Sequence, residues 1–164
     1  MLKKLFIFVT VLATIASAAP KADFSGSYAV PQKKGDEAIR ASLRVIQTES
    51  TVQVTRAYGD KSLTNSFPLD GSEGDYTTET GVHGKCRAQL IGNTLVLKSI
   101  VASPPKTNTP SLRFDTIEEW RLSADTKTLT IKTEIKSHDM PADVMAAALP
   151  NNPRTEKYQR LDAR

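Results

Sequence analysis

The sequence has one cysteine and two histidines, and both scarcities exclude whole classes of protein. A single cysteine, Cys86, cannot form an internal disulfide, so packing and backbone hydrogen bonds must hold the fold together. We interpret Cys86 as a buried thiol, with pairing between two chains as the alternative. A metal site needs three or four convergent ligands, and His83 and His138 supply too few. We therefore predict no metal site.

The sequence also lacks the motifs that mark cofactor binding and nucleophilic catalysis. It has no glycine-rich phosphate loop, no serine elbow and no zinc-ligand motif. His83 and Cys86 lie three residues apart, and we interpret them as a loop histidine and a structural thiol, not as a catalytic pair. We therefore predict no cofactor and assign no catalytic residue.

Only the first residues form a long hydrophobic run. Lys3 and Lys4 precede an apolar stretch that ends in Ala16-Ser17-Ala18, a small-residue cleavage pattern. The stretch is shorter than the ~20 residues that span a bilayer. These features predict a signal peptide over 1–18, export to the periplasm or beyond the cell, no stable membrane insertion, and one domain over 19–164.

The charge of the chain does not favour nucleic acid as a partner. The formal net charge is +4, and two of the positive charges belong to the predicted signal peptide. The remaining surplus is too small for the electrostatic attraction on which nucleic-acid binding depends.

Alternating apolar and polar residues dominate the remainder, which indicates half-buried strands. We count about ten short strands joined by tight turns such as Gly59-Asp60 and Gly92-Asn93, a pattern typical of a β-sandwich or barrel. One segment differs, because Pro141 and Pro150 bracket an alanine-rich stretch that predicts a short helix over 142–149. A last strand is predicted over 156–161.

The order of strands in a meander, a short helix and a final strand resembles the lipocalins and their calycin relatives. Phe24-Ser25-Gly26-Ser27-Tyr28 resembles the lipocalin Gly-x-Trp motif, with tyrosine for tryptophan. The resemblance implies a closed antiparallel barrel in which Arg160 packs across Tyr28. Asp23-Phe24-Ser25-Gly26 and the segment 120–125 also resemble exported lipocalin-like bacterial proteins that lack an assigned activity.

Strand parity places three charged side chains inside the protein. In the strand predicted over 111–122, Glu118 shares the apolar face with Trp120, while Arg56 and Arg160 fall on inward faces of other strands. An unpaired buried charge is too costly to retain. These groups therefore either pair with one another or line a wet cavity.

A wet cavity would suit an amphipathic ligand. An arginine and a tyrosine hydroxyl can hold a carboxylate or phosphate head group, and eight-stranded barrels leave room for one small molecule. The predicted apolar walls are Phe67, Leu97, Phe114, Trp120 and Ile131. The candidate ligand-binding residues are Arg56, Tyr58, Glu118, Trp120, Tyr158 and Arg160.

Three functions remain open from the sequence. The first is an exported barrel that binds a small hydrophobic or amphipathic molecule without catalysis. The second is a structural or protein-interaction module with a filled core. The third is a calycin-type isomerase or hydrolase with Glu118 as the base.

Overall fold

A computed structural model describes residues 21–31, 41–103 and 111–161. The predicted signal peptide and the proline-bearing loop over 104–110 lie outside these residues. The described chain forms ten strands and one helix: β1 (Gly26–Ala29), β2 (Ala41–Gln47), β3 (Thr51–Tyr58), β4 (Lys61–Pro68), β5 (Gly74–Thr77), β6 (His83–Ile91), β7 (Thr94–Ala102), β8 (Arg113–Leu122), β9 (Thr128–Ser137), α1 (Ala142–Ala148) and β10 (Arg154–Arg160).

All ten strands belong to one antiparallel sheet in the order β4-β3-β2-β1-β10-β9-β8-β7-β6-β5. The first and last strands meet, with Tyr28 opposite Arg160. A sheet whose chain ends pair in this way removes most of its free edges. The fold is therefore a nearly closed barrel with one short helix before the last strand, which confirms the predicted all-β fold.

The remaining edge is a seam between β4 and β5, which form no backbone ladder among the described residues. The two strands nevertheless touch. A Cβ added to Gly74 would lie 3.0 Å from the Ser66 carbonyl oxygen and 2.9 Å from Pro68 Cδ, so only glycine allows this approach. The Cys86 thiol on β6 donates to the Ser66 oxygen at 3.2 Å. Cys86 is buried, as predicted, and helps to hold the seam.

A meander places alternate turns at opposite ends of the barrel, and these ends differ. We call the end with the turns at 48–50, 92–93 and 123–127 the closed end, because a dense core fills it. We call the other end, with the turns at 59–60 and 78–82 and helix α1, the open end. The buried residues at the closed end include Phe24, Tyr28, Val45, Val52, Phe67, Leu95, Trp120 and Leu129.

Alternation over 111–122, which includes β8, predicts that Leu112, Phe114, Trp120 and Leu122 are buried while Arg113, Asp115, Glu119 and Arg121 are exposed. The structure confirms the inward face but corrects the degree of burial at several positions. Trp120 is 0% exposed, and its outward neighbour Arg121 is exposed. Phe114, at the open end of the strand, is only half-buried because the core does not extend that far. Outward-facing Asp115 is half-buried rather than exposed, since Arg113 and His138 both contact its carboxylate.

Helix α1 occupies the predicted place but contributes little to the core. None of its residues is buried, although Met145 is partly covered. Within the described residues, no helix has the length and apolar character needed to cross a membrane.

Candidate functional site

The interior contains a charged cluster where the closed-end core gives way to half-buried residues. Arg56 Nη2 donates to Glu118 Oε2 at 2.6 Å, and Trp120 Nε1 donates to the same oxygen at 2.9 Å. The guanidinium carbon of Arg56 also lies 5.9 Å from the Trp120 ring centroid. Glu118 is therefore held by two donors, which satisfies the rule that a buried carboxylate needs partners.

The environment of Arg56 keeps its guanidinium charged. Burial acts to lower the pKa of Arg56, but the negative field of Glu118, with smaller contributions from Tyr76 and Tyr58 and the hydrogen bond to Glu118, raises it above its ordinary value. The side chains of Arg56 and Glu118 remain 21% and 15% exposed. The pair is thus sheltered but still borders accessible space.

Three tyrosines lie within the electrostatic reach of this pair. Burial is the main cause that raises the pKa of Tyr58, Tyr76 and Tyr158, and each also feels the charge of Arg56. Tyr158 is buried, whereas Tyr58 is 39% exposed at the rim. All three hydroxyls therefore stay protonated near neutral pH and can act as hydrogen-bond donors.

Tyr76 was absent from the candidate site residues predicted from the sequence. It lies on β5, which has only four residues. Alternation over so short a strand gives little indication of which side chains face inward. Tyr76 could have been identified from its position beside the seam between β4 and β5. That position depends on which distant strands pair, and the local sequence pattern does not show this.

In the open half of the barrel, the inward-facing positions define a region that we call the open-end chamber. Its inward-facing residues are only partly covered: Leu63, Tyr76, Val101, Phe114, Thr116 and Ile135. Beside the turn at 59–60, Arg56, Tyr58 and Leu63 border an open pocket of about 480 Å³, together with the polar residues Asp60, Lys61, Ser62 and Glu79. The chamber combines apolar and aromatic walls with a small number of polar groups, which is typical of small-molecule sites.

The predicted apolar walls lie mostly in the wrong half for this chamber. Phe67, Leu97, Trp120 and Ile131 are at most 4% exposed and pack into the core. Of the five predicted wall residues, only Phe114 borders the chamber. Strand parity identifies inward residues correctly, but it does not say how deeply the core is filled at their level.

Arg160 lies apart from the Arg56–Glu118 pair, at the closed end. Its guanidinium carbon is 5.3 Å from the Tyr28 ring centroid, and Nη2 donates to the Tyr28 hydroxyl at 2.7 Å and to the Ser25 carbonyl at 2.9 Å. The Tyr28 hydroxyl in turn donates to the Phe24 carbonyl at 3.0 Å. Arg160 thus covers the base of the barrel, as the lipocalin resemblance implied.

The same contacts explain the glycine of the Gly-x-Tyr motif. Gly26 has φ +152°, and a Cβ there would lie 3.2 Å from Arg160 Nε and 3.4 Å from the Tyr28 ring. A side chain at this position would push the arginine away from the aromatic ring.

The residues considered for nucleophilic or metal chemistry have ordinary structural contacts. His83 Nδ1 lies 3.2 Å from the Thr77 hydroxyl, and burial raises the pKa of Cys86 to about 11. A nucleophilic cysteine requires a lowered pKa. Within the described residues, no group of three or more histidine, cysteine, aspartate or glutamate side chains could hold a metal ion.

No protein family model matches the chain. Solved structures do match it, over most of its length and nearly all of theirs. The REP1-NXSQ fatty acid transporter aligns with a TM-score of 0.56 at 15% identity, over 85% of this chain and 97% of that chain. The fatty acid-binding protein in brain tissue of Drosophila melanogaster aligns with a TM-score of 0.54 at 18% identity, over 84% and 99%.

The wild-type fluorescent protein UnaG gives a similar match, with a TM-score of 0.54 at 16% identity over 84% of this chain and 97% of that chain. Identities this low establish the fold alone. The barrel therefore has the fold of these fatty acid-binding structures, an antiparallel barrel of the kind that the lipocalin resemblance implied.

Proposed function

We propose that this protein binds a small hydrophobic or amphipathic molecule in the open-end chamber and does so without catalysis. The observation that carries the proposal is the Arg56–Glu118 pair, which stands at the boundary between a filled core and partly covered walls. A charged pair at that depth gives polar contacts to one end of a ligand. Leu63, Phe114 and Ile135 offer apolar contacts to the rest.

Two of the matching structures support a ligand of this kind. Their descriptions name a fatty acid transporter and a fatty acid-binding protein. Folds host many functions, so this support is by analogy and the chamber itself must be tested.

The second candidate is a structural or interaction module, and the dense core at the closed end favours it. Among the described residues, the largest fully buried side chains include Trp120, Tyr28 and Phe24, all of them at this end. In this alternative the Arg56–Glu118 pair serves only to fix the barrel, and no ligand enters.

Binding of a neutral fluorescent probe distinguishes the two. N-phenyl-1-naphthylamine brightens in apolar sites, and we expect saturable brightening with the wild-type protein. Leu63→Arg would place a bulky charge on the chamber wall and should abolish the signal. Thr64→Arg adds the same side chain to the exposed face of the same strand and should leave the signal intact.

Two results would contradict the proposal. Equal brightening by both variants would place the probe elsewhere, and a wild-type protein that binds no probe would favour the structural module. Circular dichroism of both variants checks that the barrel is retained.

We also propose that the chain is exported after removal of residues 1–18. The support is the order of Lys3 and Lys4, the apolar stretch and Ala16-Ser17-Ala18. N-terminal sequencing of protein from the periplasm or the medium should find Ala19 or a neighbouring residue first. A product that starts at Met1 and sediments with membranes would overturn this proposal.

A further inference from the structure

The arginine inside the barrel is already neutralised by its own carboxylate partner. Arg56 Nη2 and Glu118 Oε2 are 2.6 Å apart, so the pair has almost no net charge when viewed from the chamber. A lone arginine would attract an anion strongly. An arginine in contact with a carboxylate attracts and repels an incoming anion at nearly the same distance.

The other charges near the chamber do not restore a positive field. The Glu156 carboxylate lies 3.4 Å from the Tyr158 hydroxyl, and Glu79 contributes to the raised pKa of Tyr58. Arg154 Nε lies 3.9 Å from Glu156 Oε2, so these two charges offset each other, and Lys61 is offset by Asp60 beside the pocket at the turn over 59–60. The described surroundings of the chamber are therefore neutral to acidic.

The pair nevertheless has hydrogen-bonding capacity to spare. Among the described residues, the hydrogen bonds of Arg56 and Glu118 side chains involve only Nη2 and Oε2. A guanidinium has five N–H donors and a carboxylate has two acceptor oxygens. The cluster can therefore offer a donor from Arg56 and an acceptor from Glu118 to one ligand group.

We propose that the polar end of the ligand is an uncharged hydroxyl-type group, as in a long-chain alcohol, which accepts from Arg56 and donates to Glu118. This inference rests on the proposed ligand-binding function and specifies the ligand class for the same chamber. A hydroxyl matches both partners at once. A carboxylate has no proton for Glu118 and would add a third charge to a sheltered site that has little positive field to compensate its desolvation.

The test compares two probes with the same tail, oleyl alcohol and oleate, in displacement of N-phenyl-1-naphthylamine near neutral pH. Both are used below their aggregation limits. We expect oleyl alcohol to bind the wild-type protein at least about tenfold more tightly than oleate, a difference of ~1.4 kcal/mol.

Glu118→Gln then changes the charge of the pair with little change in shape. The amide oxygen can still accept from Arg56 and Trp120, so the barrel should be retained. Arg56 is then no longer neutralised, and oleate should gain at least about tenfold in affinity relative to oleyl alcohol. Glu119→Gln removes the same charge from the outer face of the same strand, where Glu119 lies 3.5 Å from Arg121, and should not change the preference.

The outcomes separate the two proposals. If oleate binds the wild-type protein as tightly as oleyl alcohol or more tightly, the chamber binds lipid but the ligand class inferred here is wrong. If Glu118→Gln and Glu119→Gln change the affinity of oleate relative to oleyl alcohol equally, the inferred ligand class is also wrong. The net charge of the protein alone would then account for the change in preference. If neither lipid displaces the probe, or no probe binds, the proposed function fails and this inference fails with it.

Discussion

The side-chain amide of Asn65 on β4 forms a two-bond ring with the backbone of Thr77 on β5. Nδ2 of Asn65 donates to the Thr77 carbonyl at 3.0 Å, and the Thr77 N–H donates to Oδ1 at 2.9 Å. An amide side chain has the same donor and acceptor as a peptide group, so it replaces a rung of the missing ladder. Asn65 therefore closes the seam at the point where the backbones of β4 and β5 diverge.

We predict that Asn65→Ala destabilises the barrel by ~1–3 kcal/mol, because two backbone groups of a half-buried strand lose their partner. Urea unfolding measures the loss. Ser66→Ala is the matched control, since its exposed side chain neighbours Asn65 and only its backbone oxygen serves the seam. We expect a change within about 0.5 kcal/mol for this control. Similar losses in the two variants would contradict a bridging role for the amide.

The seam illustrates what the sequence could and could not predict. Alternation in β2, β3, β7 and β8 correctly indicated the strands and their inward faces, because a period of two is a local property. Barrel closure, which the lipocalin resemblance implied, correctly predicted that the first and last strands meet. Which neighbouring strands would fail to pair depends on barrel closure, a long-range property with no counterpart in the pattern around Asn65.

The candidate site was predicted in part for the same reason. Parity identified Arg56 and Glu118 as inward charges, and the structure brings them together. Parity also identified Arg160 as inward, but it does not state at which end of the barrel a long side chain points. Arg160 lies over Tyr28 at the closed end, and the position of the Arg56–Glu118 pair near the open end emerges only from the assembled sheet.

Trp120 should be the most sensitive position of β8. Its side chain is 0% exposed, contacts the closed-end core and donates to Glu118. Trp120→Ala should therefore cost ~3–5 kcal/mol of unfolding free energy, as large aromatic truncations in cores do. Arg121→Ala, on the outer face of the same strand, should change it by about 0.5 kcal/mol or less. A loss below about 1 kcal/mol for Trp120→Ala would mean that the inward face is assigned wrongly.

The Cys86 thiol should make stability depend on alkaline pH. Burial raises the pKa of Cys86 from 9.0 to about 11 in the folded protein. Above about pH 9 the unfolded chain loses the thiol proton while the folded chain retains it, so unfolding becomes easier. The thiol therefore does not lower the free energy of unfolding below the unfolded-state pKa of 9.0. It lowers this free energy progressively as the pH rises from there through the folded-state pKa of about 11.

Urea unfolding across this alkaline range tests the effect. The free energy of unfolding of the wild-type protein should fall more steeply with pH than that of Cys86→Ser, which has no thiol to titrate. Iodoacetamide should react slowly with the native protein near neutral pH and quickly after unfolding. Parallel pH profiles for the two proteins, or fast native alkylation, would show that the thiol is more accessible than its burial implies.

Two double-mutant cycles decide whether the inward charges act as a pair. Arg56 and Glu118 share a 2.6 Å hydrogen bond, so the cycle of Arg56→Met and Glu118→Gln should give a coupling energy of ~1–3 kcal/mol. Arg160 provides the matched control, because its contacts are to Tyr28 and Ser25 rather than to Glu118. The cycle of Arg160→Met and Glu118→Gln should give a coupling within about 0.5 kcal/mol of zero.

The pattern of the two coupling energies matters more than either value. Strong coupling only for Arg56 and Glu118 is expected if the two side chains interact directly with each other at the boundary of the open-end chamber. Equal coupling in both cycles would mean that the charges act through the rigidity of the whole barrel, since Arg160 has no direct contact through which to couple. Repeating the first cycle with oleyl alcohol bound should lower the coupling energy between Arg56 and Glu118. A ligand hydroxyl that hydrogen-bonds to both side chains replaces part of their direct interaction with each other.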